Sequence, residues 1–130
     1  MSDFWIDDGC LTKYNGSDSE VVIPYGVNEI YDFAFEYNRR LRSIRIPPTV
    51  QKIGEAAFRG CTGLTEVTIP SSVWLIRRYA FDDCTSLTRV VFEGSQRWKT
   101  EYGKSFRVND PYKNVEYLTE TYLDDAIQEE

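Results

Sequence analysis

A period of 23 residues runs through the middle of this chain, and it constrains the fold more than any other feature. Ile23-Pro24, Ile46-Pro47 and Ile69-Pro70 fall in register, followed by Val27, Val50 and Val73, then Ile30, Ile53 and Ile76, then Ala34-Phe35, Ala57-Phe58 and Ala80-Phe81. Leu41, Leu64 and Leu87 continue it, as do Ile44, Val67 and Val90, before Phe92-Glu93 takes the Ile-Pro place and ends the series. No residue is inserted or lost between units. A period between about 20 and 50 residues marks a stack of coils, in which each unit leaves its apolar side bare until a neighbour covers it.

Within one unit, Val67 and Ile69 alternate with Glu66 and Thr68, which predicts a short strand with one buried face. The proline that follows has no amide donor and holds its own φ near about −65°, so it ends the strand and turns the chain. From Val73 through Ile76 to Ala80-Phe81 the apolar spacing predicts a second short extended piece leading into one helical turn. Alanine before each phenylalanine fits a place where coils approach closely. Phe35, Phe58 and Phe81 are then expected to stack as an aromatic spine.

An open stack needs covers at both ends, because bare strand edges recruit other chains. Phe4-Trp5-Ile6, the turn Asp7-Asp8-Gly9 and Leu11 to Tyr14 predict a β-hairpin over the first end. Residues 95–108 carry Trp98, Tyr102 and Phe106 out of register and predict a second cap. With Asp110 as N-cap and Pro111 at the first helical position, an amphipathic helix is expected over 111–128, its apolar face formed by Val115, Leu118, Tyr122, Leu123, Ala126 and Ile127. That face is expected to lie across its own stack or to dock on a partner or a second copy. The whole divides as an N-terminal cap over 1–17, repeats over 18–94 and a C-terminal cap over 95–130, one domain in all.

Composition excludes more than it assigns. The 130 residues are 42% apolar and 15% aromatic, enough for a compact core. Net charge is −6 and sits at the ends, with one lysine against five acids in residues 1–20, nine basic against eight acidic in 21–95, and five against eight in 96–130. That balance argues against nucleic-acid and anionic-membrane binding, both of which need clustered cations. No apolar run is long enough to span a bilayer, and the acidic start lacks the layout of a secretion signal. The expected location is cytoplasmic if Met1 is the natural start, and surface or secreted if the chain is a piece of something larger.

Cys61 and Cys84 hold the same repeat position, filled by Asn38 one unit earlier. Equivalent residues of neighbouring coils lie roughly 5 Å apart, within reach of a disulfide. Asn and Cys exchanging at one place points instead to a small buried residue bonded to the turn backbone, and to free thiols. Cys10 has no evident partner.

The unit Leu64-x-x-Val67-x-Ile69-Pro70-x-x-Val73-x-x-Ile76-x-x-x-Ala80-Phe81-x-x-Cys84 resembles the surface-antigen, or BspA-like, type of leucine-rich repeat. The unit before it adds Gly54 and Gly60-Cys61, and Gly9 to Gly16 running into Val22-Ile23-Pro24 is similar to the usual lead-in of these arrays. The resemblance covers about residues 9–94. It implies an α/β solenoid of about three and a half coils, right-handed, with a parallel sheet on one side. It also implies a role in adhesion or protein recognition, as in surface and secreted proteins of commensal bacteria and some protists.

Candidate functional residues follow from the repeat geometry. Outward strand positions form two columns, Glu20, Ser43, Glu66 and Arg89 beside Val22, Arg45, Thr68 and Val91, a mixed ladder suited to recognition rather than to catalysis. Trp74-Leu75 stands where the other coils have Asn28-Glu29 and Gln51-Lys52, so the tryptophan is expected to be exposed, with Arg77, Arg78 and Tyr79 extending its patch. The competing expectation packs Trp74 under the C-terminal cap. Arg39, Arg40, Arg42 and Arg45 form the densest basic cluster, facing either an acidic partner or Asp18, Glu20 and Glu66 on adjacent coils.

Catalysis finds no support in the residues. There is no histidine, the commonest general base and zinc ligand. The pairs Asp7-Asp8, Asp82-Asp83 and Asp124-Asp125 are sequence neighbours, and neighbours on a strand point apart. Gly54, Gly60 and Gly63 are turn positions of the repeat, not a phosphate loop. The reading is a non-catalytic protein-interaction module, with no cofactor or metal, binding a protein or a glycan as a monomer. Two alternatives stay open, a structural or oligomerising unit that dimerises through the C-terminal helix, and a small inhibitor covering a basic site on a cytoplasmic enzyme.

Overall fold

The computed structural model describes residues 3–121 and 123–129. The chain begins with the expected hairpin, β1 (Phe4–Asp7) antiparallel to β2 (Cys10–Tyr14). Asp8 and Gly9 both take positive φ, 49° and 79°, as a tight type I′ connection requires. A side chain at position 9 would also meet the Asn28 amide nitrogen at 2.5 Å, so glycine serves twice there.

Each repeat then supplies two strands, β3 (Glu20–Val22) and β4 (Glu29–Ile30), β5 (Ser43–Arg45) and β6 (Lys52–Ile53), β7 (Glu66–Ile69) and β8 (Leu75–Ile76), and the series closes on β9 (Arg89–Phe92). The longer strands pair in parallel as β3-β5-β7-β9. The shorter ones pair in parallel as β2-β4-β6-β8. Val21, Ile44, Val67 and Val90 from one sheet and Ile30, Ile53 and Ile76 from the other share a single core. This is the solenoid that the repeat predicts, with about four turns against the expected three and a half.

Along the third side of the coil the aromatic spine is in place. Tyr14 stacks on Phe35 at 5.2 Å between ring centroids, Phe35 on Phe58 at 5.0 Å, and Phe58 on Phe81 at 5.2 Å with planes only 5° apart. Such spacing lies within the range of favourable offset stacking. Phe4 extends the column into the hairpin. Ala34, Ala57 and Ala80 are buried beside it, as the close approach requires.

The expected helical turn after these residues takes a different form. Alternate amides bond locally, as in Ala34 N–H to the Tyr31 carbonyl and Glu36 N–H to Phe33, while the others reach the next coil, as in Phe33 to Glu55, Phe35 to Ala57 and Tyr37 to Arg59. An α-helical turn would keep every bond within its own unit. Here half of them tie coil to coil. The alternation is bought with left-handed backbone at Phe33, Ala56 and Tyr79, and again at Tyr37, Gly60 and Asp83, a conformation non-glycine residues seldom adopt. Glycine at 60 has a further reason, since a Cβ there would sit 2.3 Å from the Tyr37 ring.

Cys61 and Cys84 are free and buried, as expected. Each thiol donates to a carbonyl of the preceding coil, Cys61 to Phe35 at 3.2 Å and Cys84 to Phe58 at 3.1 Å. Asn38 at the same position accepts from the amides of Arg40 and Leu41. Burial pushes the Cys61 thiol up to about 12 and raises that of Cys84 as well.

The C-terminal cap departs most from expectation. Residues 97–107 form a hairpin, β10 (Arg97–Thr100) and β11 (Ser105–Arg107), with Trp98 and Phe106 buried and Tyr102 exposed. The helix expected over 111–128 is confined to α1 (Lys113–Glu116) and a wider π-type turn over Tyr117–Thr121. Asp110 does cap it, its carboxylate accepting from the amides of Tyr112 and Lys113. Val115 and Leu118 face the core, while Tyr122 lies outside the described residues. Ala126 and Ile127 belong instead to a strand, β12 (Ala126–Gln128), antiparallel to both β8 and β10. The physical reason is the bare edge of β8, which a strand can close and a helix cannot. Among the described residues, the helical stripe expected over 111–128 is confined to residues up to Thr121 and gives way to a strand at Ala126.

Two measurements check this packing. Phe58→Ala removes the central ring of the spine and is expected to cost about 3–5 kcal/mol in urea unfolding, as for a large buried aromatic. In the native protein at pH 8, a thiol reagent is expected to label no more than Cys10, with all three cysteines reacting in denaturant. The buried thiols are neutral when folded, so their contribution to stability is complete below about pH 9 and declines towards pH 12. Rapid native labelling of Cys61 or Cys84 would contradict the packing.

Candidate functional site

The four-stranded sheet sets the outward side chains in rows. Parallel register places Glu20 beside Ser43, Ser43 beside Glu66 and Glu66 beside Arg89, while Val22 pairs with Arg45 and Thr68 with Val91. Both columns are therefore where the repeat puts them. Ser43 and Val91 are half-buried, and Glu66, Arg89, Arg45 and Thr68 are exposed. Arg89 approaches Glu66 at 3.9 Å across the first column, an exposed contact of little energetic weight.

The basic cluster is not neutralised by neighbouring coils. Among the described residues Glu66 pairs with Arg89, and no ion pair joins Arg39, Arg40, Arg42 or Arg45 to Asp18 or Glu20. Arg45 stands at the end of β5 with its guanidinium unclaimed.

That guanidinium opens on a groove of about 590 Å³ at the strand ends. Its walls include Val22, Tyr25, Pro47, Pro48, Thr68 and Pro70, with Glu93 also lining it. Pro47 and Pro70, which stop β5 and β7, thus also build the side of a trough. Its chemistry is apolar surface with one cation and one carboxylate, which can hold an extended polar-apolar ligand and fix its direction. Tyr25, 80% exposed, is the residue that sequence reasoning missed. It replaces Pro48 and Ser71 at one repeat position, so the comparison of coils that singled out Trp74 would have found it.

The second predicted patch lies elsewhere. Trp74 precedes β8 and Leu75 lies in it, away from the four-stranded sheet, so the candidate residues fall on two surfaces. Trp74 is 43% exposed, and Lys52 sits 5.4 Å from its ring centre. The two expectations for it are both partly met, because the cap holds its backbone while the ring remains open. Gln128 donates its amide to the Trp74 carbonyl at 2.9 Å, and its side-chain nitrogen reaches Val73. Arg77 and Arg78 are engaged internally, Arg77 with Asp125 at 3.2 Å and Arg78 with Glu55 at 2.8 Å. The hydrogen bond to Glu55 raises the Arg78 pKa. Arg77 thus ties its coil to the cap, and the Arg78 side chain ties the same coil to the one before it.

Residues 6–121 match the BspA type leucine rich repeat region, in six copies. The match runs beyond the 9–94 stretch of sequence resemblance into both caps. Among solved structures, a leucine rich repeat protein of T. pallidum is 36% identical, with a TM-score of 0.62 over 64% of this chain and 41% of that one. A leucine rich cell surface protein from Faecalibacterium prausnitzii is 29% identical, with a TM-score of 0.62 over 72% of this chain and 26% of that one. The chain thus spans less than half the length of either relative. No curated protein matches it. With the period, the two ladders and the spine in agreement, the chain belongs to the BspA type of leucine-rich repeat proteins.

Proposed function

We propose that this protein is a non-catalytic protein-interaction module whose binding surface is the outer face of the four-stranded sheet and the groove at its strand ends. One observation carries the reading. Arg45 is exposed and unpaired among the described residues, and it lines an apolar trough that the repeat itself constructs. A free cation beside buried-edge apolar surface binds more strongly than one in open water, because a ligand that covers it also excludes solvent.

The sheet face is preferred over the Trp74 patch because the arginines beside Trp74 already have partners. A protein ligand is preferred over a glycan because most of the lining residues are aliphatic, aromatic or proline, with single charges rather than a converging set of hydrogen-bonding side chains. The ligand expected from this chemistry is an extended segment that sets a carboxylate against Arg45 and apolar residues against Val22, Tyr25 and Pro47. The name of the Faecalibacterium relative places that protein at the cell surface, and a surface setting for this chain forms part of the same proposal.

A photo-crosslinking amino acid at Thr68, in the groove, is expected to capture a protein partner from the native lysate, whereas the same group at Tyr37, on the turn side, captures none. Arg45→Glu is expected to weaken capture at Thr68 about tenfold, equivalent to about 1.4 kcal/mol. Trp74→Ala leaves it unchanged. Capture that ignores Arg45→Glu, or that arises only at Tyr37, defeats the reading.

A further inference from the structure

The two ends of the solenoid are closed unequally. At the C-terminal end the last repeat strand of each sheet is covered, since β12 pairs with β8, and the outer edge of β9 meets the Pro111 carbonyl, which accepts the Val90 amide, and the Asn114 side chain, which donates to the Val90 carbonyl. At the N-terminal end the hairpin closes only the sheet that begins with β2, and β3 is left as the last strand of its sheet.

Which backbone groups β3 leaves open follows from its register. The Ser19 carbonyl accepts the Ser43 amide and the Ile23 amide donates to Arg45, so the odd residues face β5. Alternation along a parallel ladder turns the N–H and C=O groups of Glu20 and Val22 the other way, toward solvent. Val22 is 65% exposed. β4 lies in the same coil as β3, and its sheet continues outward by two more strands, β2 and β1. Beside β3 this leaves a step in the stack, its own sheet ending where the other goes on by two strands.

We propose that β3 is a strand-addition site, which takes a single extended basic peptide segment into this step. A second copy set edge to edge on β3 would bring its own hairpin against this one, so the step admits a strand and not another solenoid. The sign of the partner follows from charge. Residues 1–20 carry five acids and one lysine, and Glu20 lies on the receiving strand itself. A segment alternating cationic and apolar side chains turns its cations to the outer face, where Glu20 lies, and its apolar residues to the inner face, where Val21 lies, while its backbone meets the four open groups. The site is the outer edge of β3; it shares Val22 with the groove proposed above but uses backbone groups of Glu20 and Val22 rather than Arg45, so the two are tested apart.

The test is a titration of the full chain, labelled with nitrogen-15, with an amidated heptapeptide of alternating lysine and valine, followed by hydrogen exchange. The Glu20 and Val22 amides are expected to exchange at least tenfold more slowly in the complex, and a glutamate–valine peptide to give no such protection. Methylating the backbone nitrogens on one edge of the peptide is expected to abolish binding, as is Val22→Pro, which deletes an amide that the ladder does not use. Glu20→Lys is expected to transfer the preference to the glutamate–valine peptide. The proposal is overturned if the lysine–valine peptide leaves both amides unprotected, or if the peptides methylated on either edge bind as well as the unmodified one.

Discussion

Everything in this molecule depends on coils lying one strand spacing apart. Backbone bonds from one unit to the next run along the long strands, the short strands and the turns, as in Ile23 to Arg45, Gln51 to Asn28 and Phe33 to Glu55. The same spacing brings the phenylalanine rings to about 5 Å. Neither set of contacts can form if the other fails, because both read the same distance. A bulky residue at Ala57 would break ring stacking and turn bonding together, which is why alanine recurs where the apolar pattern alone would accept leucine.

Repetition of that kind solves the interior of the stack and leaves its ends unsolved. The C-terminal segments answer by imitation. The Gln128 amide takes the Trp74 carbonyl as Trp74 takes that of Gln51, and the Leu123 carbonyl accepts the Tyr79 amide as the next coil would. Asp125 receives the Arg78 amide and pairs with Arg77, fixing the strand from its side. Asn114, wholly buried, does the corresponding work for β9. A cap of this sort need not resemble a repeat in sequence, since it has only to offer donors and acceptors at the right spacing.

That distinction explains what the sequence could and could not reveal. The columns from Glu20 to Arg89 and from Val22 to Val91, the spine, the hairpin at Asp8-Gly9 and the free Cys61 and Cys84 were all legible, because each is dictated by position within a period. The fate of residues 111–128 was not. Val115, Leu118, Ala126 and Ile127 satisfy a helical period, and nothing local says that the last two will be claimed by the edge of a strand 50 residues earlier. Long-range edge pairing overrides local periodicity there. The turn side failed for a related reason, since consecutive reverse turns that share bonds with a neighbour carry the same apolar spacing as one turn of helix.

On the proposed reading, the binding surface lies where one coil breaks the rule its neighbours keep. Positions the period holds fixed are committed to the stack, and an outward position that stays polar in every coil carries solvent-facing bulk and little else. Tyr25 against Pro48 and Ser71, Trp74 against Asn28 and Gln51, and Arg45 against Val22 and Thr68 are departures that stacking does not require. Two of these three, Tyr25 and Arg45, meet on one groove. Trp74 alone is drawn into the cap by its own backbone. The solenoid supplies the distance between such departures and holds it rigid, and so a short array with little surface of its own can present a defined one.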